Sequence, residues 1–423
     1  MAQKLKFGNG TWATKEGSTL AYNDEGNNYK PLPFSFERDS IATRVNKEGL
    51  IEVVGKDIPR IDYTDSTEGV LLLEPSRTNK ATYSEDFSQS FWTKSNASVV
   101  SGFASPDGNN NAYKLVEDAT NSNHFVRSGF IGTTDGGSII PSIFVKSAER
   151  SQVVFQEDAY TGQFMTVDLI AETISTNGEN ANLTKLANGW FRIDFKSTGR
   201  PSTRWKISPS VNLSSTYQGD GTSGIYIFGF QLEDNVSYPS SYIPTSGSTV
   251  QRAAETANGS GNSEVFNDSE GVLFADIAAL TDTVSSERIV ISDGTSASNR
   301  IVIEYDETFG LVKFWVTGGG TTNGEVQVSG VNKTQINKIS MLYQSNVLKI
   351  YINGFNVGNG TGIVTPTGLD TLKFEQAIGG NNFYGKTKEI GYYDATLTDA
   401  ELEYMTSYRS LNELVTELNL NTL

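Results

Sequence analysis

The chain has 423 residues, no cysteine, one histidine, and 33 basic against 49 acidic residues for a net charge of −16. This excludes disulfides, thiolate metal ligands, a cysteine nucleophile and the usual histidine zinc cluster, and it argues against a basic nucleic-acid-binding face. The length suits about two to four domains. The 41 glycines, 11 prolines and 11% aromatic residues are the composition of a turn-rich all-β protein. No apolar run reaches the ~18 residues a membrane span needs, so no membrane insertion is expected. The start, MAQKLKFGNGTWATK, has no apolar stretch, so no Sec-type signal peptide is expected. Acidity concentrates late, with 10 basic and 20 acidic residues over 256–423. It reads as a solvated surface, with a cation site or a basic partner as the sharper alternative.

In chain order, residues 1–79 read as an extended N-terminal stem. Phe34, Phe36 and Arg38 alternate in PFSFERDS, and NKEG at 46–49 is a hairpin turn between apolar runs. GVLLLE at 69–74 reads as another strand. The segment has too few apolar residues for its own core, so it is expected to pack on a neighbouring domain or another subunit. Residues 80–248 read as one β-sandwich, with apolar runs at 139–145, 153–155, 191–195 and 225–230 separated by turn clusters such as SGFASPDGNNN at 101–111. Residues 249–262, TVQRAAETANGSGN, are small and polar without a period, and read as a linker.

Residues 263–423 hold eight strand candidates: GVLFADIAAL, RIVISD, RIVIEYD, LVKFWVTG, EVQVSG, KISMLYQ, VLKIYING and EIGYYDA. This number of short strands with glycine-rich turns predicts a two-sheet jelly roll. Asn353-Gly354 supplies the positive-φ pair of a type I′ hairpin. Thr398 and Glu401 form a capping box ahead of Leu402, Met405 and Tyr408, which predicts a helix over 399–408 and a second over 410–418. The expected fold is all-β: an extended stem, two sandwich or jelly-roll domains, and a short C-terminal helix.

Three sets of motifs carry a resemblance. FSFERDSIATRVNKEGLIEVV at 34–54, PRIDY at 59–63 and GVLLLEPSRTN at 69–79 resemble the stem module of tailed-bacteriophage fibre and appendage proteins. YSEDFSQSFWTKSN at 83–96, GWFRIDF at 189–195 and FGFQLEDNVSYPSSYIPT at 228–245 resemble a carbohydrate-binding-module-like sandwich. VLKIYINGFNVGN at 347–359 and IGGNNFYGKTKEIGYYDATLTDAEL at 378–402 resemble the concanavalin-like, laminin-G-type jelly roll. The resemblance implies a virion structural protein on head or tail, assembled in the host cytoplasm. The stem would dock to other virion proteins or oligomerise, with a homotrimer as first expectation. The sandwiches would face outward to host-surface polysaccharide.

A concanavalin-like glucanase uses Glu-x-Asp-x-x-Glu on one strand face; the nearest run, Glu304-Tyr305-Asp306, places Phe309 where the third carboxylate belongs. No Gly-x-Ser-x-Gly elbow occurs, and His124 sits in a polar, loop-like stretch that reads as surface. Gly318–Gly324 lacks the GK[ST] of a phosphate loop and reads as a hairpin. The protein is therefore expected not to be an enzyme. Calcium is the one cofactor suggested, through Asp282, Asp293 and Asp306 with Asn299 in or near loops of the acidic domain. In modules resembling the second domain, a carboxylate of the last strand often binds calcium, but Phe228 and Gly229 stand there.

For glycan, exposed aromatic rings are the usual platforms. Trp92 and Trp190 lie inside recurring motifs and read as core, and Trp315 is ambiguous. Trp205, with Arg204 and Lys206 beside it, is the candidate platform for an acidic polysaccharide; the alternative is a half-buried edge-strand tryptophan covered by those long side chains. The expected function is non-catalytic, lectin-like attachment by a fibre or appendage subunit. A ligand-free structural or decoration subunit and a polysaccharide depolymerase are the alternatives.

Overall fold

The computed structural model describes residues 3–159, 162–282 and 285–417. The chain divides into two compact units. A jelly-roll unit comprises Met1–Ile41, Gly55–Pro75 and Ala254–Leu423, and a sandwich unit comprises Ala42–Val54 and Ser76–Ala253. The architecture is all-β with two short C-terminal helices, Asp399–Thr406 and Leu411–Glu417. The end expected for the second helix, at 418, lies outside the described residues.

In the jelly-roll unit, one sheet runs in the order Phe355–Thr361, Val347–Ile352, Asn337–Gln344, Glu270–Ala279, Gly385–Tyr393 and Leu5–Gly8, then two short N-terminal strands. The facing sheet runs Thr14–Lys15, Ser18–Thr19, Phe34–Glu37, Thr256–Ser260, Thr371–Lys373, Glu287–Ser292, Arg300–Tyr305, Val312–Gly318 and Thr321–Val328. Each of the eight expected strand candidates forms a strand. Period-two alternation decides which side chains go inside. Ile289, Ile291, Ile301, Ile303, Phe314 and Val316 enter one core with Phe34, Phe36, Leu273, Ile339, Met341 and Ile390. Asn353 (φ 50°) and Gly354 (φ 87°) make the expected positive-φ turn. The Thr398 hydroxyl accepts from the Glu401 N–H, and the Glu401 carboxylate accepts from the Thr398 N–H at 2.8 Å.

Two expectations about organisation change. The N-terminal segment is divided between the units, and its strands belong to both jelly-roll sheets. Leu5–Gly8 pairs with Gly385–Tyr393, Phe34–Glu37 pairs with Thr256–Ser260, and hairpin Ala42–Val45/Ile51–Val54 joins the sandwich unit. The stretch read as a linker contains strands Val250–Arg252 and Thr256–Ser260. It has no hydrophobic period of its own, but strand 256–260 lies between two others. Ladder hydrogen bonds and a small buried residue, Ala257, take the place of a large apolar side.

A buried ion cluster ties the N-terminal segment to the rest of the jelly-roll unit. Arg38, Arg60 and Glu255 have 0% side-chain exposure. The Glu255 carboxylate accepts from Arg38 Nη1 (2.8 Å), Arg60 Nε (2.8 Å) and Arg60 Nη2, and from the Glu74 backbone N–H (2.9 Å). Burial pulls the Arg60 pKa down, but the Glu255 and Glu74 charges outweigh it and hold it above the ordinary range.

The sandwich unit packs two six-stranded sheets. One runs Trp92–Ser95, Phe125–Ser128, Trp205–Ser210, Gln152–Glu157, Phe164–Asp168 and Thr173–Thr176. The other runs Ala97–Phe103, Ala112–Glu117, Gly224–Asp234, Ser138–Ser147, Phe191–Thr198 and Glu179–Lys185. Trp92, Trp205, Phe155, Phe195, Ile207 and Phe230 lie in the core between them. The second sheet's outward side is covered. Phe144, Trp190 and Phe228 form a buried cluster there with Tyr242 and with Ile51 of the hairpin. Asp194, 2% exposed, bonds Asn182 at 2.8 Å. Burial pushes its carboxyl up to about 6, while Arg192 and Asn182 pull it down and Glu233 adds to the rise.

Two stability outcomes follow. Glu255→Gln leaves two buried guanidinium groups without their shared anion, and chemical denaturation should show a loss of about 3–5 kcal/mol. An unchanged midpoint would remove the cluster from this role. For Asp194, the folded chain keeps a proton that the unfolded chain, titrating near 3.8, has released. Its contribution to stability therefore falls as pH rises from about 4 to 6, and the deficit is complete above 6. Asp194→Asn should be neutral below pH 4 and stabilising by up to about 3 kcal/mol at pH 7, read from denaturation curves at the two pH values.

Candidate functional site

The site is on the outward side of the first sandwich sheet, the one containing Trp205–Ser210. Along that strand the side chains alternate: Trp205 and Ile207 enter the core, and Lys206, Ser208 and Ser210 point away from it, with Arg204 on the same side just before the strand. Lys206 is directly opposite Arg127 on the neighbouring strand and opposite Gln156 on the other side, and Ser208 is opposite Val154. Phe125, two residues before Arg127, shares this face.

Three cations meet here at Asp158, two at its carboxylate and one at its backbone carbonyl. Asp158 Oδ2 takes Arg127 Nη1 at 2.8 Å, and Asp158 Oδ1 lies 3.4 Å from Lys206 Nζ. Arg204 Nη2 donates to the Asp158 backbone carbonyl at 3.3 Å. Two positive charges therefore remain uncompensated within the group. Each cation also packs on an aromatic ring: Lys206 and Arg127 on Phe125 (5.3 and 5.7 Å to the ring centroid), and Arg204 on Phe130 at 4.4 Å. Phe130 is 60% exposed. The Nε atoms of Arg127 and Arg204 and the hydroxyls of Ser208 and Ser210 are buried with no hydrogen-bond partner among the described residues. The face thus offers an exposed ring and excess positive charge together. Such a set can stack on the apolar side of a sugar ring while holding its oxygens or an anionic substituent.

The structure sorts the expected site residues. Arg204 and Lys206 belong to this face. Trp205 does not: it is 0% exposed and packs against Phe155 and Phe195 at 5.4 and 5.7 Å, so it is no platform. Its strand is interior to the sheet, not at an edge. Adjacent residues on a strand cannot share a face, so the Arg-Trp-Lys triplet was always two cations on one side and an indole on the other. Phe125, Arg127 and Phe130 were missed, although the Phe-x-Arg spacing of 125–127 and the polar alternation of 204–210 carry the signal. Trp92 and Trp190 are core, as expected. His124 is not a surface loop residue. It is fully buried, and its Nδ1 donates to the Asn96 carbonyl at 2.7 Å.

The three aspartates proposed for calcium do not come together. No group of three or more Asp, Glu, His or Cys able to hold a metal occurs among the described residues. Asp293 closes its own loop, accepting from the Thr295 and Ser296 N–H groups at 3.0 and 2.8 Å. Asp306 takes Lys313 and the Thr308 N–H, and Lys313 with the two hydrogen bonds from Thr308 holds its carboxyl below the usual carboxylate range despite burial. Asp282 is met by a protein cation. Lys333, 1% exposed, places Nζ 2.9 Å from Asp282 Oδ1, 2.5 Å from the Asp306 carbonyl and 3.1 Å from the Thr308 carbonyl. An ammonium thus sits where these loop oxygens converge.

Comparison with known proteins finds no matching family model and no curated relative. Among solved structures, the chain is similar to the CBM40 of the Ruminococcus gnavus IT-sialidase (14% identity, 36% of this chain and 94% of that one, TM-score 0.30). It is also similar to domain 4 of the arabinanase AbnA from Geobacillus stearothermophilus (12%, 41% and 84%, TM-score 0.31). A third likeness is to domains LG4-5 of the mouse laminin alpha1 chain (11%, 65% and 86%, TM-score 0.24). Likenesses this distant carry no function to the present chain.

Because Lys333 supplies the positive charge at Asp282, the thermal midpoint of the wild type should be the same in calcium and in chelator. Lys333→Met should lower stability by about 3 kcal/mol. A wild-type midpoint that falls on chelation would overturn this assignment.

Proposed function

We propose that the protein is a non-catalytic glycan-binding protein, and that the Phe130–Arg204–Lys206–Arg127 face of the sandwich unit binds a saccharide carrying acidic groups. The observation that carries this reading is the group of three cations at one aspartate, two on its carboxylate and one on its backbone carbonyl, next to an exposed ring, in a chain of net charge −16. A protein so acidic gains nothing in solubility from such a cluster, whereas recognition of an anion requires one.

The non-catalytic part is supported by the carboxylates. Glycoside hydrolysis uses a pair of carboxyl groups flanking the bond. The face has Asp158, which is already committed to Arg127 and Lys206. In the jelly-roll unit, Glu304 is bonded by Arg288 and Asp306 by Lys313. The resemblance of residues 34–79 to phage stem modules supports placing the protein on a tailed-phage particle, as a homo-oligomeric fibre or appendage subunit that meets host-surface polysaccharide.

The test is titration of the full chain with polygalacturonate oligomers and their carboxyl-reduced counterparts. Wild type is expected to prefer the acidic form and to lose affinity as salt rises. Phe130→Ala and Arg204→Ala should each weaken binding about tenfold, the equivalent of roughly 1.4 kcal/mol. Equal binding of acidic and reduced oligomers, or binding indifferent to both substitutions, would overturn the assignment of this face. Mass spectrometry of purified phage particles tests the virion reading separately.

A further inference from the structure

The jelly-roll unit carries an unexplained group of its own, on the outward side of the sheet containing Arg300–Tyr305. Cross-strand register lays its residues out in rows. Lys373, Val290, Val302 and Trp315 form one row, Arg288, Glu304 and Lys313 a second, and Thr371, Ser292, Arg300 and Thr317 a third. Two guanidinium groups lie over the one indole: Arg288 at 5.3 Å and Arg300 at 5.7 Å from the Trp315 ring centroid.

The two arginines are treated differently. Arg288 is fully engaged, by Glu304 and by Gln376 Oε1 at 2.5 Å. Arg300 makes no ion pair or side-chain hydrogen bond among the described residues, and its Nε and Nη1 are buried without an acceptor. Glu304, the nearest carboxylate on this face, is already bonded by Arg288 and lies 4.0 Å from Lys313. Burial and the like charge of Arg288 lower the Arg300 pKa against the pull of Glu304. A guanidinium that has lost water and gained no partner is costly. In this stretch of chain acidic residues outnumber basic ones 20 to 10, so a carboxylate partner would be easy to supply.

We propose that this face is a second binding site, in which Arg300, lying over Trp315, receives the carboxylate or sulfate of an anionic saccharide. Trp315, 6% exposed, is the positioning residue: the Arg300 guanidinium lies over it, and little ring area is left for stacking. Ser292 and Thr317 flank Arg300 in the same row and are buried, Thr317 bonded to the Thr322 hydroxyl at 2.8 Å, so Arg300 itself is the group left to meet the anion. Arg288 and Glu304 neutralise one another and keep the pocket's net charge near that of Arg300. A saccharide is favoured over an acidic peptide because the row beside Arg300 holds no exposed apolar side chain to take a peptide's anchors. The site stands independently of the sandwich face.

The test uses full-length Phe130→Ala/Arg204→Ala protein, in which the sandwich face is disabled. It is titrated with polygalacturonate oligomers, sulfated heparin oligosaccharides, and the carboxyl-reduced and desulfated forms of each. The expected result is residual binding of one anionic series and not of its neutral form. Arg300→Gln should weaken that binding at least tenfold, and Arg300→Lys should restore it only in part, because an ammonium lacks the planar fork. Which series binds distinguishes carboxylate from sulfate. Hydrogen exchange should slow in peptides covering 300–305 and 312–318 on ligand addition. Absence of residual binding, or residual binding unchanged by Arg300→Gln, would overturn the proposal. Neither result touches the sandwich-face assignment, which depends on the affinity difference between wild type and the double variant.

Discussion

One buried carboxylate, Glu255, holds the jelly-roll unit together as a discontinuous assembly. It joins Arg38, Arg60 and the Glu74 backbone N–H, groups separated from it by 217, 195 and 181 residues. Each lies within a few residues of a point where the chain passes from one unit to the other. Such long loops are entropically expensive to close, and undirected apolar packing would not select one register for the returning strands. Two guanidinium groups and the carboxylates of Glu255 and Glu74, nearly out of contact with water, allow few arrangements, because any other leaves a charge unpaired. With this cluster in place, Phe34–Glu37 can lie beside Thr256–Ser260, and Leu5–Gly8 beside Gly385–Tyr393.

The same accounting of buried charge locates the sites. In the sandwich unit one sheet has its outward side covered by hairpin residue Ile51 and by Tyr242, and there Arg192 donates to the Ser240 carbonyl and the Ser142 hydroxyl. The other sheet keeps three cations around Asp158, two at its carboxylate and one at its backbone carbonyl. In the jelly-roll unit Lys333 neutralises Asp282, Lys313 neutralises Asp306 and Arg288 neutralises Glu304, which leaves Arg300 over. Where a cation is left over beside an aromatic ring, the set has room for an anion that the described residues do not supply, which is the basis of the two proposed sites.

The sequence by itself determined the all-β class, the eight late strands, the Asn353-Gly354 turn and the capped helix. These follow from local signals: period-two alternation, a positive-φ pair and a Thr-x-x-Glu box need only neighbouring residues to be read. Half of the sandwich site was equally legible, since Arg204 and Lys206 stand out as basic residues on a short strand. Only the tertiary structure decided that Trp205 turns inward to Phe155 and Phe195, because side chains one residue apart take opposite faces and the burial of each face depends on the layer packed against it. Only the tertiary structure brought Arg127 opposite Lys206 and the Phe125 ring beside it, set Lys333 among the oxygens read as a calcium site, and built the stem and linker into the sheets. Each of these is a contact between residues far apart in the chain, and strand register and ion-pair choice at such separations leave no periodic trace in the sequence.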